Sequence, residues 1–564
     1  MWTVIGSSSR CMSPSLVGPL RRRRFQPRGL RLLGDAERDA RHRDNRGCQN
    51  MRDVLNRLGS ASRLALFMCS DAGPDYRRNG GSMVERTGVA RRALHILAVS
   101  LSVSGVLLSA TMSPVSATSV SAKNPVVDER VAEIYDVTRR YVTKFYPRWF
   151  THEQQRFLLP NILFGPDRMS TVWHGVVAPN DDTLYTSAVI GVRREPAVLV
   201  IPETTASYGV LVLDVYGNII NTNISTDTGG TYAFTAPGWR GELPPNVTRV
   251  PLPVTSASLL IRTDKFSSDG ENQISIAEEF RRSLRMGPLS AYLRGSLRET
   301  LIVPVFLYGR SFKRDADTLI ATNPIRFLNE LQRAVKSIRT PPLTGENRIL
   351  SERFDRLFNR GGFGRVFARA TQDAHSAIIR NYLTNTDRNN WINFRNIGFW
   401  GRNYLDRSSI TQFCQYCNDI ERSAYYDVFL DKNGRRLNGA SGGYTITFER
   451  DQIPQAEQFW SVTSYLSGTI SLVPNPKGKW VVASYTPGLE RNRDGSITIY
   501  ATPTPPRGVS KANWLPIPRG DFSMMLRVYG PEGRVADGTY VPPPVKKIDR
   551  RDTGRRSYSS GGGW

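Results

Sequence analysis

The order of strand-like and helix-like segments constrains the fold of this 564-residue chain most strongly. Short runs rich in β-branched residues occupy residues 171–263 and recur from Tyr444 onward, whereas residues 273–383 show the apolar spacing of helices. Strands and helices therefore do not alternate, which disfavours a doubly wound parallel sheet. Turn pairs such as Asn433-Gly434 and Asp494-Gly495 favour antiparallel hairpins. We predict an α+β fold in which two antiparallel β-sandwich or jelly-roll-like domains are joined by a helical segment.

Local signals predict where several helices begin and end. Apolar residues spaced by three and four predict a first helix over residues 126–146, which Pro147 should end. Asn323 followed by Pro324 has the pattern of a helix N-cap and first helical residue. Ser351 is predicted to cap the next helix.

A segment that begins at Met83 has the order of a secretory signal peptide. Its basic start is followed by an apolar stretch over residues 93–110 and by small residues that allow cleavage after Ala117 or Ala122. The apolar stretch contains several Ser and one His, so it is short and weakly apolar for a membrane span. We predict export and cleavage, with no transmembrane span afterwards. A retained N-terminal anchor and a buried helix are the alternatives.

Residues 1–82 precede this signal and contain 16 Arg, no Lys and seven acidic residues. Because a signal peptide normally opens a chain, we interpret the extension as the result of an upstream start-codon assignment. A transit segment is the alternative, although such segments are poor in acidic residues. The predicted parts of the chain are the extension (1–82), the signal peptide (83–122), an N-terminal helix and β domain (123–270), a helical connecting segment (271–390), a C-terminal β domain (391–548) and a basic tail (549–564).

The net charge of +26 favours anionic neighbours, among them lipid headgroups, acidic polysaccharide and nucleic acid. No helix-turn-helix, zinc-finger or RNA-binding signature accompanies the charge, so we predict no nucleic-acid partner. Only Cys414 and Cys417 follow the signal segment. In an exported protein this pair is typical of a local disulfide, with two small buried residues as the alternative. A redox pair would need a thioredoxin-like βαβ unit, which the sequence lacks.

Two sets of sequence blocks resemble a known bacterial family. The blocks are VAPNDDTLYTSAVI (177–190), LDVYGN (213–218) and APGWRGELP (236–244), and then DKNGRRLNGASGGYTITF (431–448), IPQAEQFWSVTSY (453–465) and NWLPIPRGDFSMMLRVYGP (513–531). Their order and spacing resemble the tandem family in which domain of unknown function 1254 precedes domain of unknown function 1214. The resemblance implies an exported or envelope-associated protein of sandwich- or jelly-roll-like β architecture, and it implies no activity. The segment 411–429 departs from the family's pattern.

The loop before one predicted strand is the strongest candidate for chemistry. Asn180, Asp181 and Asp182 place an amide and two carboxylates in three consecutive residues. These groups suit a divalent cation bound through oxygen, or acid–base catalysis if one pKa is raised. His174, on the predicted strand TVWHGVV, would lie just ahead of them. The alternative is that the Asn and Asp side chains only stabilise a turn.

Aromatic and amide side chains offer a second candidate, a platform for a sugar or another flat ligand. We predict ligand-binding roles for Asn180, Tyr185, Trp239, Trp460, Asn513 and Trp514. The alternative is that the aromatic residues pack within cores.

Two classes of function follow from these candidates. The first is an extracytoplasmic hydrolase acting on a small molecule or glycan through Asp181, Asp182 and His174. The second is a non-enzymatic ligand-binding or structural protein of the cell envelope, secreted or periplasmic. A hydrolase should have a deep pocket with converging polar groups, and a binding protein a shallow aromatic groove or an apolar patch. A homo-oligomer is compatible with either.

Overall fold

The computed structural model describes residues 125–337, 342–475 and 477–548. This part of the chain contains nine α-helices and twenty β-strands, which confirms the α+β class. The helices are α1 (Pro125–Gln155), α2 (Ile274–Ser283), α3 (Leu289–Leu293), α4 (Phe312–Thr322), α5 (Pro324–Val335), α6 (Gly345–Asn359), α7 (Gly364–Thr384), α8 (Tyr404–Phe413) and α9 (Gly533–Asp537). The predicted extension, signal peptide and basic tail lie outside the described residues.

The first ten strands form two five-stranded sheets. They are β1 (Phe164–Pro166), β2 (Thr183–Gly191), β3 (Ala197–Ile201), β4 (Tyr208–Leu213), β5 (Gly230–Thr235), β6 (Thr248–Pro251), β7 (Ser256–Asp264), β8 (Arg285–Pro288), β9 (Arg298–Glu299) and β10 (Leu301–Val303). Sheet I has the order β10-β1-β2-β7-β4, and sheet II the order β6-β5-β3-β8-β9. Val210 and Ile261 of sheet I share one apolar core with Leu199 and Phe234 of sheet II. The two sheets therefore bury one face of each against the other.

The last ten strands form two further sheets. They are β11 (Trp391–Ile392), β12 (Ser423–Val428), β13 (Tyr444–Phe448), β14 (Ala456–Leu466), β15 (Ser471–Leu472), β16 (Val481–Ala483), β17 (Ile497–Thr502), β18 (Trp514–Pro516), β19 (Phe522–Pro531) and β20 (Lys546–Lys547). Sheet III has the order β11-β12-β19-β14-β15, with β16 also paired to β14, and sheet IV has the order β18-β17-β13-β20. Val462 and Leu526 of sheet III share a core with Ile446 and Ile499 of sheet IV.

Most strand pairs are antiparallel, as predicted, but three are parallel: β1 with β10, β5 with β6 and β17 with β18. A hairpin turn cannot join parallel neighbours, and each of these pairs is linked by a longer connection. The segment predicted as helical, 271–390, also contains the short strands β8, β9 and β10. Strand β11 begins one residue after this segment. Strands β8, β9 and β10 complete sheets I and II, so the β region is longer than the sequence pattern indicated.

Helix α1 is the centre of a helical layer and packs against α5, α6, α7 and α8. The cluster of buried residues in this layer also contains Tyr465 and Met525 of sheet III. The helices therefore cover the face of sheet III that points away from sheet IV. None of the helices in the described ranges is long and apolar enough to cross a membrane.

The predicted end of the first helix at Pro147 is wrong, because α1 continues to Gln155. Proline has no N–H, so the carbonyl oxygen of Thr143 loses its usual donor within the helix. The hydroxyl of Ser408 on α8 donates to that oxygen at 2.7 Å instead. A hydrogen bond from a neighbouring helix therefore replaces the missing one.

The two predicted helix caps have opposite outcomes. Asn323 begins α5 as predicted, and its Oδ1 accepts a hydrogen bond from the Arg326 N–H at 3.0 Å. The prediction for Ser351 is wrong, since α6 begins at Gly345 and Ser351 lies inside it. The structure also bonds Cys414 to Cys417 at the end of α8, where both residues are buried.

Candidate functional site

In the loop before β2, the side chain of Asn180 stabilises a turn, which was the alternative to a role in chemistry. The Oδ1 atom of Asn180 accepts hydrogen bonds from the backbone N–H of Thr183 at 3.3 Å and from its hydroxyl at 3.1 Å. The backbone N–H of Asn180 donates to the Tyr185 hydroxyl at 3.0 Å. The Nδ2 of Asn180 donates to the hydroxyl of Tyr529 on β19. The loop is therefore held by its own hydrogen bonds and is also bound to the second β region, which comprises sheets III and IV.

Asp182 is buried against sheet III, with 1% of its surface exposed. The hydroxyl of Ser461 donates to its Oδ2 at 2.8 Å, and the hydroxyl of Tyr485 donates to its Oδ1. The Tyr529 hydroxyl lies 3.5 Å from Oδ2. Burial and the Asp182 carboxylate raise the pKa of the Tyr485 phenol well above its usual value, so this phenol stays protonated and donates.

Two more side chains of the second β region hold the same loop. The Nη2 of Arg527 donates to the carbonyl oxygen of Ala178 at 2.8 Å, and the Tyr465 hydroxyl donates to that of Pro179 at 2.7 Å. Both donors are buried. Asp182 and its partners Ser461, Tyr485, Arg527 and Tyr529 are called the Asp182 cluster below.

Two further carboxyl groups lie beside this cluster. Burial and the Asp182 carboxylate raise the pKa of the Asp264 carboxyl well above its usual range. Burial also raises the pKa of Asp181, and the Lys265 ammonium group, 2.5 Å from Asp181 Oδ1, opposes that rise. A cation at Asp181 would have to displace Lys265. In the described residues no three His, Cys, Asp or Glu side chains converge as metal ligands.

His174 belongs to different surroundings. The segment TVWHGVV was predicted as a strand, but its backbone forms turns, bends and irregular structure. The backbone N–H of His174 donates to the carbonyl oxygen of Tyr308 at 2.9 Å. Burial and the nearby Arg314 lower the pKa of His174. No hydrogen bond or ion pair in the described ranges joins its side chain to Asp181 or Asp182. The structure thus brings together the two aspartates but not the histidine.

The aromatic candidates are dispersed. Trp460 lies in the core between sheets III and IV, and the buried Trp514 donates from its indole to the Thr502 carbonyl at 3.0 Å. Asn513 is buried and its Nδ2 donates to the carbonyls of Glu490 and Thr498. Trp239 is half-buried, with the Arg249 guanidinium carbon 5.3 Å from its ring centroid. Packing, the alternative considered for the aromatic residues, accounts for their positions.

Two cavities in the described part of the chain bear on a candidate site. One is an open groove of about 520 Å³ lined by Met169, Pro474, Asn475 and Trp480 among others. The other is a small cavity of about 30 Å³ between the first β region and helices α1 and α8. Neither is lined by a residue of the Asp182 cluster.

One family match falls within the region of sheets I and II, and another within the region of sheets III and IV. Residues 160–288 match the family described as Protein of unknown function (DUF1254), and residues 422–533 match Protein of unknown function (DUF1214). The chain carries a DUF1254 domain followed by a DUF1214 domain. This confirms the resemblance seen in the sequence. Asp182 lies in the DUF1254 domain and its partners in the DUF1214 domain, so the Asp182 cluster joins the two.

Two solved structures are similar to this chain. One is the VPA0106 protein from Vibrio parahaemolyticus, which is 18% identical with a TM-score of 0.48 over 74% of this chain and 100% of its own. The other is a putative uncharacterized protein from Burkholderia cenocepacia, which is 14% identical with a TM-score of 0.36 over 76% of this chain and 91% of its own. No curated protein matches the chain in sequence.

The small cavity lies beside a cluster that the sequence interpretation missed. Arg148 on α1 and Arg407 on α8 are 1% and 5% exposed. The guanidinium carbon of each lies 5.0 Å from the ring centroid of Tyr216, which belongs to the DUF1254 domain. Arg148, Tyr216 and Arg407 are called the arginine cluster below. One signal could have revealed it: Arg148 continues the apolar spacing of Tyr141 and Phe145, which places a charge where burial is expected.

Proposed function

We propose that this DUF1254–DUF1214 protein is an exported, non-enzymatic ligand-binding protein of the cell envelope. The observation that carries the proposal is a pair of buried arginines, of which Arg407 lines a small cavity at the junction of the DUF1254 domain and the helical layer. Charged groups that are buried without a carboxylate partner are costly to a fold, and they are typical of sites that receive a ligand.

The surroundings of Asp182 support binding over hydrolysis. A general base must reach the proton that it removes from a substrate or a water molecule. Both carboxylate oxygens of Asp182 instead accept hydrogen bonds from Ser461 and Tyr485, and the residue is almost inaccessible. Asp182 is therefore engaged in holding the two domains together.

Export remains part of the proposal on the strength of the segment that begins at Met83. We expect the protein isolated from its native cells to begin at Thr118 or Lys123, because the small residues before these positions suit signal cleavage. N-terminal sequencing measures this directly. Peptides from residues 1–82 in the isolated protein would contradict it.

A hydrolase acting on a small molecule or glycan is the second candidate, and one observation favours it. Burial and the Asp182 carboxylate raise the pKa of the Asp264 carboxyl well above its usual range, and a carboxyl group shifted in this direction suits a general acid. In that case Asp182→Asn should lower turnover at least about a hundredfold in a protein that stays folded. His174 and Asp181 would be the other residues to vary.

The experiment that separates the two functions uses the purified protein and a panel of neutral glycans, small organic acids and chromogenic esters and glycosides. The proposed binding function predicts that at least one compound raises the melting temperature in a saturable way and is recovered unchanged, because a ligand that binds only the folded state stabilises it. Product formation that disappears in Asp182→Asn would establish the hydrolase instead.

A further inference from the structure

We infer that the arginine cluster binds one small oxyanion, held by Arg407 in the cavity with Arg148 beside it. This inference rests on the proposed binding function and names the chemical class of its ligand.

The positive charges of the two guanidinium groups are balanced by a carboxylate only from a distance. Within the described ranges no carboxylate lies within 4.0 Å of either group, whereas the buried Lys144 and Lys313 each have such a partner. The carboxylate of Asp214 acts on both arginines from further away. However, its Oδ1 accepts the N–H groups of Tyr216 and Asn218 at 2.8 and 2.9 Å, and its Oδ2 accepts the Asn218 amide at 2.7 Å. Asp214 is therefore committed to its own turn.

Several donors of the arginine cluster have no hydrogen-bond partner in the protein. The Nη2 of Arg148 donates to the carbonyls of Ala334 and Val335 at the end of α5, and the Nη2 of Arg407 donates to that of Lys144 at 2.5 Å. The Nε and Nη1 of Arg148 and the Nε of Arg407 remain buried and unpartnered. A guanidinium group presents its N–H donors in a planar fork that matches the oxygens of a carboxylate or a phosphate.

The cavity beside Arg407 restricts what can enter. Its polar walls come from Thr151, Asp214, Arg407, Thr411 and Gln415. The hydroxyls of Thr151 and Thr411 already donate to the carbonyls of Val215 and Arg407, and the Gln415 amide donates to Gln154. The unpartnered donor among these lining side chains is the Nε of Arg407. A volume of about 30 Å³ holds only one or two water-sized groups, which suits an inorganic oxyanion or a single carboxylate and excludes a sugar ring.

The test is calorimetric titration and thermal melting of the purified protein with phosphate, acetate and chloride at equal ionic strength. We expect saturable binding of phosphate or acetate with one site per chain and a rise in melting temperature, and no saturable effect of chloride. Arg407→Gln should weaken the oxyanion about tenfold to a hundredfold, the usual effect of one charge-assisted hydrogen bond. Arg407→Lys, which keeps the charge but loses the fork, should fall between.

Arg281 offers a matched control. It is also 1% exposed, its Nη1 donates to the Pro166 carbonyl at 2.7 Å and its Nε is unpartnered, but it lies outside the arginine cluster. Arg281→Gln should leave oxyanion affinity unchanged even if it lowers stability. The absence of saturable oxyanion binding to the wild-type protein, or unchanged affinity in a folded Arg407→Gln, would overturn the inference. If the wild type binds a neutral glycan but no oxyanion, the oxyanion inference fails and the proposed binding function stands. If an ester or glycoside is turned over, the proposed non-enzymatic function fails, and the oxyanion titration alone decides the inference.

Discussion

Replacing Asp182 with Ala is expected to lower the free energy of unfolding by about 2–6 kcal/mol, because it leaves two buried donors unsatisfied at a cost of about 1–3 kcal/mol each. The variant leaves the hydroxyls of Ser461 and Tyr485 without their acceptor and removes a carboxylate that acts electrostatically on Arg527. Unfolding in urea, followed by circular dichroism, measures the loss.

Asp181→Ala is the matched control for this prediction. Its carboxylate is adjacent in sequence and pairs with Lys265, but both side chains are partly exposed, at 19% and 13%. Since solvent screens such a pair, the expected loss is smaller, about 1 kcal/mol. Equal losses for the two variants would show that Asp182 has no special role between the domains.

The free energy of unfolding is expected to fall between about pH 4 and pH 7 because of Asp427. Burial raises the pKa of this carboxyl to about 7, although the hydroxyl of Tyr382 on α7, the Val428 N–H and Arg527 on β19 oppose the rise. The folded protein therefore holds a proton that the unfolded chain releases near its ordinary pKa of about 3.9. The stabilisation is complete below that value and is lost as the pH rises through 7, by about 4 kcal/mol.

Asp427→Asn should remove this pH dependence and make the protein more stable than wild type at pH 8, since an amide needs no proton to stay neutral. Urea unfolding of both proteins from pH 4 to pH 8 measures the difference and cancels the titration of other groups. Tyr382→Phe removes a hydrogen bond that lowers the pKa of Asp427, so it should move the transition to higher pH. Parallel curves for wild type and Asp427→Asn would show that Asp427 does not titrate in this range.

Local signals in the sequence predicted local structure well. The cap at Asn323 follows from a side chain and a backbone group three residues apart, and the α+β class follows from spacing along short segments. The prediction for Pro147 failed because the donor that lets α1 continue, Ser408, lies 265 residues away. No pattern near Pro147 reveals that partner.

The candidate site shows the same limit. The sequence identified Asp182 as unusual, but its two donors lie 279 and 303 residues further along the chain, so neither its burial nor its role between domains could be predicted. Arg407 looks like an ordinary solvated charge on a short helix until Tyr216 and α1 are packed against it. Arg148 alone broke a local pattern, because it occupies a position of the apolar stripe.

Hydrogen exchange of the Asp182→Asn variant is the most direct test of the claim that Asp182 joins the two domains rather than acting on a substrate. If it does, backbone amides should exchange faster than in wild type both in β2 of the DUF1254 domain and in β14 and β19 of the DUF1214 domain, because the loop and sheet III lose their shared contact. Faster exchange confined to the loop before β2, with β14 and β19 unchanged, would contradict the claim.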